Sequence, residues 1–170
     1  KAHWRNRTNP DQPFFSIFNY TTSHESRVNV KETYENAIKD LDPSLLKKAG
    51  QVPLPPYYPD TEDTRELWAR YYNIIAAMDQ QVGDLIKQLE DDGLRENTII
   101  IYYSDHGAGI PRHKRWLYDT GIRVPWIVSV PDKYKSWLPH EEGTQTDELV
   151  SFIDLPVTAL QLAGIDPPEN

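Results

Sequence analysis

Apolar residues recur three and four positions apart from Leu67 to Leu89, through Tyr71, Ile74, Ile75, Met78, Val82, Leu85 and Ile86. That spacing predicts a long helix with one stripe to bury. Asp60, Thr61 or Asp63 can cap its start, and Gly93 stands where a C-cap belongs. Thr98 to Ser104 follows, apolar on both faces, which suits a central parallel strand covered by helices. A helix that must bury a stripe, leading to a strand that must bury two faces, predicts a layered α/β architecture.

The remaining segments fit the same plan. Phe14 to Tyr20 is a short aromatic strand candidate that runs into the polar loop Thr21 to Ser26. Residues 31–50 predict one or two short helices, broken at Pro43 and stopped at Gly50. The proline-rich stretch Val52 to Pro59 predicts an extended connection held down by Tyr57 and Tyr58. Val124 to Val130 is a third strand, with Pro125 near its start or at a sheet edge. Asp154 to Leu162 predicts a helix capped at Asp154, with Pro156 in its first turn and Gly164 after its end. The expected fold is α/β, a mostly parallel sheet flanked by helices.

Charge and composition exclude some functions. A formal charge of -8 disfavours a nucleic-acid partner, which needs a basic face. No apolar run approaches the ~20 residues that span a bilayer, so no membrane partner is expected. With Cys 0 there is no disulfide, thiolate metal site or cysteine nucleophile, and the compartment stays open. The polar start, Lys1-Ala2-His3-Trp4-Arg5 without Met, suggests a chain that was processed or cut from something longer.

In parallel sheets ligands bind beyond the carboxyl ends of the strands. His24 lies just past the first strand; Asp105 and His106 lie just past the second. Parallel strands would gather all three at one rim. Asp105 and His106 offer one oxygen and one nitrogen to a divalent cation, with Gly107 permitting the turn. The plainer reading is that Asp105 caps a turn and His106 makes an ordinary hydrogen bond. Lys114 can neutralise a sulfuryl or phosphoryl oxyanion, and His24 can donate a hydrogen bond or protonate a leaving oxygen. Each is equally compatible with a solvated side chain. His113 borders Lys114 and is a weaker substrate-contact candidate. Glu25 either orients His24 or faces solvent, while His3 and His140 are expected at the surface.

Four segments together resemble the sulfatase family of the alkaline phosphatase superfamily. They are "PFFSIFNYTTSHES", the helix and strand "RYYNIIAAMDQQVGDLIKQLEDDGLRENTIIIYYSDHG", the stretch from Lys114 through "YDTGIRVPWIV", and "VSFIDLPVTALQLAGI". The resemblance runs from about Pro13 to Ile165. It implies hydrolysis of sulfate esters on a sulfated small molecule or glycan. Asp105 and His106 would be metal ligands, and Lys114 and His24 would contact the ester oxygens. Calcium is the first expectation, with magnesium or zinc as alternatives, because histidine at position 106 also occurs in the superfamily's zinc phosphodiesterases. The family's formylglycine nucleophile has no source here, since Cys and the matching Ser motif are lacking. Residues 1–170 are therefore expected to form the second half of the main domain. The first strands, the nucleophile and the C-terminal subdomain would lie elsewhere, and the chain would be inactive alone and prone to self-association. A zinc phosphodiesterase or a non-catalytic sulfate- or carbohydrate-binding relative are the alternatives.

Overall fold

The computed structural model describes residues 3–168, which divide into two compact units meeting at Lys133 and Tyr134. In the first unit the elements run α1 (Ser26–Asn29), α2 (Lys31–Ile38), α3 (Glu62–Asp91), β1 (Ile100–Tyr103), α4 (Asp119–Ile122) and β2 (Trp126–Ser129). The second holds α5 (Asp154–Leu162).

Helix α3 is the spine. The Thr61 side chain accepts from the Thr64 N–H at its start, and Gly93 takes φ +68° just beyond its end, which a residue with Cβ resists. Its stripe buries Trp68, Ala69, Ile74, Ala77, Met78 and Leu89. Buried Asn73 gives α3 a polar anchor: it accepts from Lys47 N–H at 2.7 Å and donates to Tyr34 Oη at 2.9 Å. Bonded this way, the amide avoids the cost of an unsatisfied buried polar group. At the far end, Asp92 accepts from Trp4 Nε1 at 2.6 Å and from Arg5 Nε at 2.7 Å, tying the first turn of the chain to the helix C-terminus.

The proline-rich connection does pack. Val52, Trp68, Ala69 and Ile110 form a buried cluster, with Leu54, Tyr58 and Ala108 against it. Ile110 belongs to the loop after β1, so this cluster supports that loop from below.

The sheet differs from the expected one. Among the described residues it has two strands, β1 and β2, paired antiparallel with Ile100 opposite Ser129 and Tyr103 opposite Trp126. Phe14 to Tyr20 forms no strand, although its exposure alternates: Phe14, Ser16, Phe18 and Tyr20 are half-buried, whereas Phe15, Ile17 and Asn19 are exposed. The side-chain pattern of a strand is present; a ladder partner among the described residues is not, and a strand exists only through its ladder. Pro125 sits just before β2, where its missing N–H costs nothing, and its carbonyl accepts from Ser104 N–H.

In the second unit, Asp154 lies in the first turn of α5 rather than at the cap position, and its carboxylate accepts from Ser151 N–H at 2.7 Å. No helix among the described residues is long and apolar enough to cross a membrane.

Candidate functional site

Three chain segments meet beyond β1. The strand ends at Tyr103, and Ser104 turns the chain by donating its hydroxyl to His106 O at 2.7 Å. Gly107 then donates its N–H to Gly121 O at 3.0 Å. A Cβ at Gly107 would lie 2.0 Å from the Thr120 carbonyl, so only glycine permits this approach. At the next residue, Ala108 O accepts from Lys114 N–H at 2.9 Å, closing residues 108–114 into a loop.

The His24 turn packs onto this loop from a distant part of the sequence. Gly109 is its seat: a Cβ there would fall 2.3 Å from Glu25 Cβ. Glu25 Oε2 lies 3.5 Å from Lys114 Nζ, and Glu25 Oε1 accepts from Arg115 Nη2 at 3.2 Å. The Lys114 and Glu25 side chains are 18% and 22% exposed, sheltered enough for the pair to resist screening. Burial alone would push the Glu25 carboxyl up, but the Arg115 and Lys114 charges and their hydrogen bonds hold it below the usual range.

Two histidines at this rim are held in opposite tautomers by their partners. The Ser26 N–H points at His24 Nδ1, so this nitrogen accepts, and it accepts from the Ser26 hydroxyl at 2.9 Å as well. A neutral His24 therefore carries its proton on Nε2 and can donate it. His106 is the reverse. Its Nδ1 lies 2.7 Å from Gly107 O, which can only accept, so the proton is on Nδ1. In a neutral ring the Nε2 lone pair would then face Asp105 Oδ2, which lies 3.6 Å away.

Two acceptors facing each other repel unless a proton or a cation lies between them. Donation of the other ring N–H to a carbonyl is also how metal-binding imidazoles are oriented. The Asp105–His106 pair thus fits a divalent cation as part of a donor set. Among the described residues no group of three or more acidic, imidazole or thiolate side chains is gathered, so the pair is not a full one.

His113 lies deeper. Its Nε2 is 3.2 Å from Tyr57 Oη, and its ring meets Trp68 edge-on at 5.8 Å. Burial lowers its pKa against the opposing pull of a Thr120 backbone hydrogen bond. His3 packs its ring on Trp4 at 4.2 Å, and His140 Nε2 pairs with Glu148 at 3.2 Å within the second unit.

The sequence places Arg112 in a basic run, 112–115, that could hold a small anion, and gives Tyr57 a part only in packing the proline-rich stretch. Arg112 adopts φ +69° and stacks its guanidinium on Tyr57 and on Tyr118, at 4.7 and 4.8 Å from the ring centres. The run of four basic positions, 112–115, was the available signal. Glu25 was a weak candidate; its adjacency to His24 was the only clue to its place between Lys114 and Arg115.

A family model described as Sulfatase matches residues 4–165. An ulvan-active sulfatase of Formosa agariphila is 40% identical over 99% of this chain and 31% of that protein. The N-sulphoglucosamine sulphohydrolase of Homo sapiens is 28% identical over 95% of this chain and 34% of its own length. Arylsulfatase K of Bos taurus is 29% identical over 90% of this chain and 29% of its own length. The chain spans about a third of the length of the curated relatives it matches.

Proposed function

The chain belongs to the sulfatase family, and on that premise we propose that it supplies one wall of an active site that hydrolyses sulfate esters. One observation carries the reading: the Glu25–Lys114 ion pair joins the His24 turn to the loop that leaves the Asp105–His106 strand. The turn that carries His24 is thereby held against the loop that carries Lys114 and follows Asp105 and His106.

In this reading Lys114 meets the sulfate oxygens and offsets the charge that moves onto them as the ester bond breaks. Glu25 keeps its long side chain in one position. His24 presents the Nε2 proton to the leaving oxygen. Asp105 and His106 would hold a divalent cation, calcium before magnesium or zinc. Bound there, it would supply Lewis-acid stabilisation of charge on the sulfate oxygens. His113, kept neutral by burial, contributes a weaker substrate contact. The formylglycine expected of the family cannot arise from a chain with Cys 0 and no matching Ser motif, and no step is assigned to it. The mostly parallel sheet is completed, in the same reading, by strands from the two-thirds of the relatives' length that these residues do not span. The substrate class is a sulfated small molecule or glycan.

The test is a choice of esters. A polypeptide of the relatives' full length carrying these residues is assayed on para-nitrophenyl sulfate and on bis(para-nitrophenyl) phosphate, with calcium or with zinc. Sulfate release supported by calcium is expected, with no turnover by the 170-residue chain alone. Phosphodiester hydrolysis supported by zinc would replace the reading with the related phosphodiesterase chemistry. Binding of sulfated sugars without hydrolysis of either ester would replace it with a non-catalytic role.

A further inference from the structure

Two non-glycine residues take left-handed backbone, Arg112 within the loop 108–114 at φ +69° and Arg115 just beyond it at φ +74°. Such a conformation is strained for a residue with a Cβ, and persists where the surroundings enforce it. For Arg115 the compensation is visible: its guanidinium reaches Glu25 Oε1 at 3.2 Å. Arg112 is different. Its carbonyl accepts from Thr120 Oγ1 at 2.6 Å, which fixes the backbone, and Tyr57 and Tyr118 fix the side chain. No carboxylate among the described residues pairs with it. Its charge is therefore oriented but not neutralised, on an exposed side chain.

The surroundings add a platform. Trp116, more than half exposed, stacks on Tyr118 at 6.2 Å with the ring planes 20° apart. Tyr57 on the other side also hydrogen-bonds His113. A guanidinium flanked by aromatic rings has few rotamers left to lose on binding, and its planar fork matches an oxyanion with two equivalent oxygens. Lys114, two residues on, is already spoken for by the ester sulfate in the reading above.

We propose that Arg112, clamped between Tyr57 and Tyr118, binds a second anionic group on the substrate sugar, so that the preferred substrate is a sulfate ester of an already acidic pyranose. The shared chemistry is a pair of adjacent equivalent anionic oxygens, supplied by a ring carboxylate or by a further sulfate. This inference rests on the sulfatase reading for its orientation toward the substrate, while the anion subsite itself stands on the geometry of Arg112.

The test compares wild type with Arg112→Asn, which tolerates the left-handed backbone, and Arg112→Lys, which keeps the charge without the fork. Substrates are monosulfated galactose, disulfated galactose and monosulfated glucuronic acid, on the full-length polypeptide. Loss of an ion-assisted hydrogen bond predicts that Arg112→Asn lowers kcat/KM for a doubly anionic sugar about tenfold more than for monosulfated galactose. Lysine should restore part of that preference. The glucuronic acid and disulfated arms show which oxyanion is read. An equal loss on all three sugars, or no loss, would overturn the proposal. A separate titration with unsulfated glucuronate follows the Arg112 side-chain N–H resonance by NMR. A saturable shift supports the subsite even if no ester is hydrolysed; its absence both with glucuronate and with inorganic sulfate counts against Arg112 even in an active sulfatase.

Discussion

Glu25 Oε2 and Lys114 Nζ lie 3.5 Å apart, although they come from opposite ends of the first unit's sequence. This pair converts two unremarkable loops into one surface. Its consequences can be measured.

Gly109 is where the two loops touch, so alanine there should be felt at once. Its Cβ would meet Glu25 Cβ at 2.3 Å, backed by the Glu25 main chain at 3.0 Å, and forcing the loops apart should cost about 1–3 kcal/mol. Gly83 supplies the contrast: it lies inside α3 with nothing within 4 Å, and alanine should stabilise the chain by about 0.5–1 kcal/mol. Urea denaturation of both variants measures the difference in sign. Equal effects would remove the argument for close loop contact.

The pH dependence of stability should carry two signatures. The folded pKa of Glu25 lies below its ordinary 4.5, so its contribution is complete above pH 4.5 and is lost as pH falls through the folded value. The folded pKa of His113 lies below its ordinary 6.5. Between those two values the unfolded chain binds a proton that the folded chain refuses, so stability falls as pH drops below 6.5 and levels off once both forms are protonated. Denaturation midpoints from pH 3 to 8 for wild type, Glu25→Gln and His113→Gln test this. Each variant should flatten its own segment of the curve and leave the other.

Metal affinity should reflect a partial donor set. Calcium titrated calorimetrically into the 170-residue chain should bind weakly, with a Kd no tighter than the ~1 mM end of calcium sites. Asp105→Ala should abolish what binding remains. Tight, stoichiometric uptake would mean that the chain completes the site itself.

Uncovered apolar surface should drive association. Phe15 and Ile17 are 71% and 57% exposed on the extended segment, and Ile127 is 59% exposed on β2. Unpartnered strand-like segments of this kind pair readily with other chains. Light scattering should show a mass that rises with concentration; a monodisperse monomer throughout would contradict this.

What the sequence made legible follows the range of the forces involved. The start of α3 was readable to within three candidate caps, of which Thr61 is the one used, and its end at Gly93, because caps are local events and its stripe repeats many times. The turn at Asp105 and His106 was readable because an apolar strand must end where polar residues begin. Phe14 to Tyr20 has the alternation of a strand, yet whether it pairs depends on which backbone lies beside it, and no local pattern encodes that. The same limit applied to Arg112 and Glu25. Nothing adjacent to Arg112 announces Tyr57, and only folding brings Glu25 to Lys114. The four sulfatase-like segments supplied the order of the rim residues, and the contacts between loops came from the structure.

The account stands on Lys114 meeting the sulfate. The most direct measurement is kcat/KM for para-nitrophenyl sulfate in the full-length polypeptide before and after Lys114→Ala. Removing an ammonium that stabilises developing charge should lower it by about a hundredfold or more, in line with the loss of a single oxyanion donor. A change of less than about twofold would contradict it, since a removed transition-state contact must appear as lost kcat/KM.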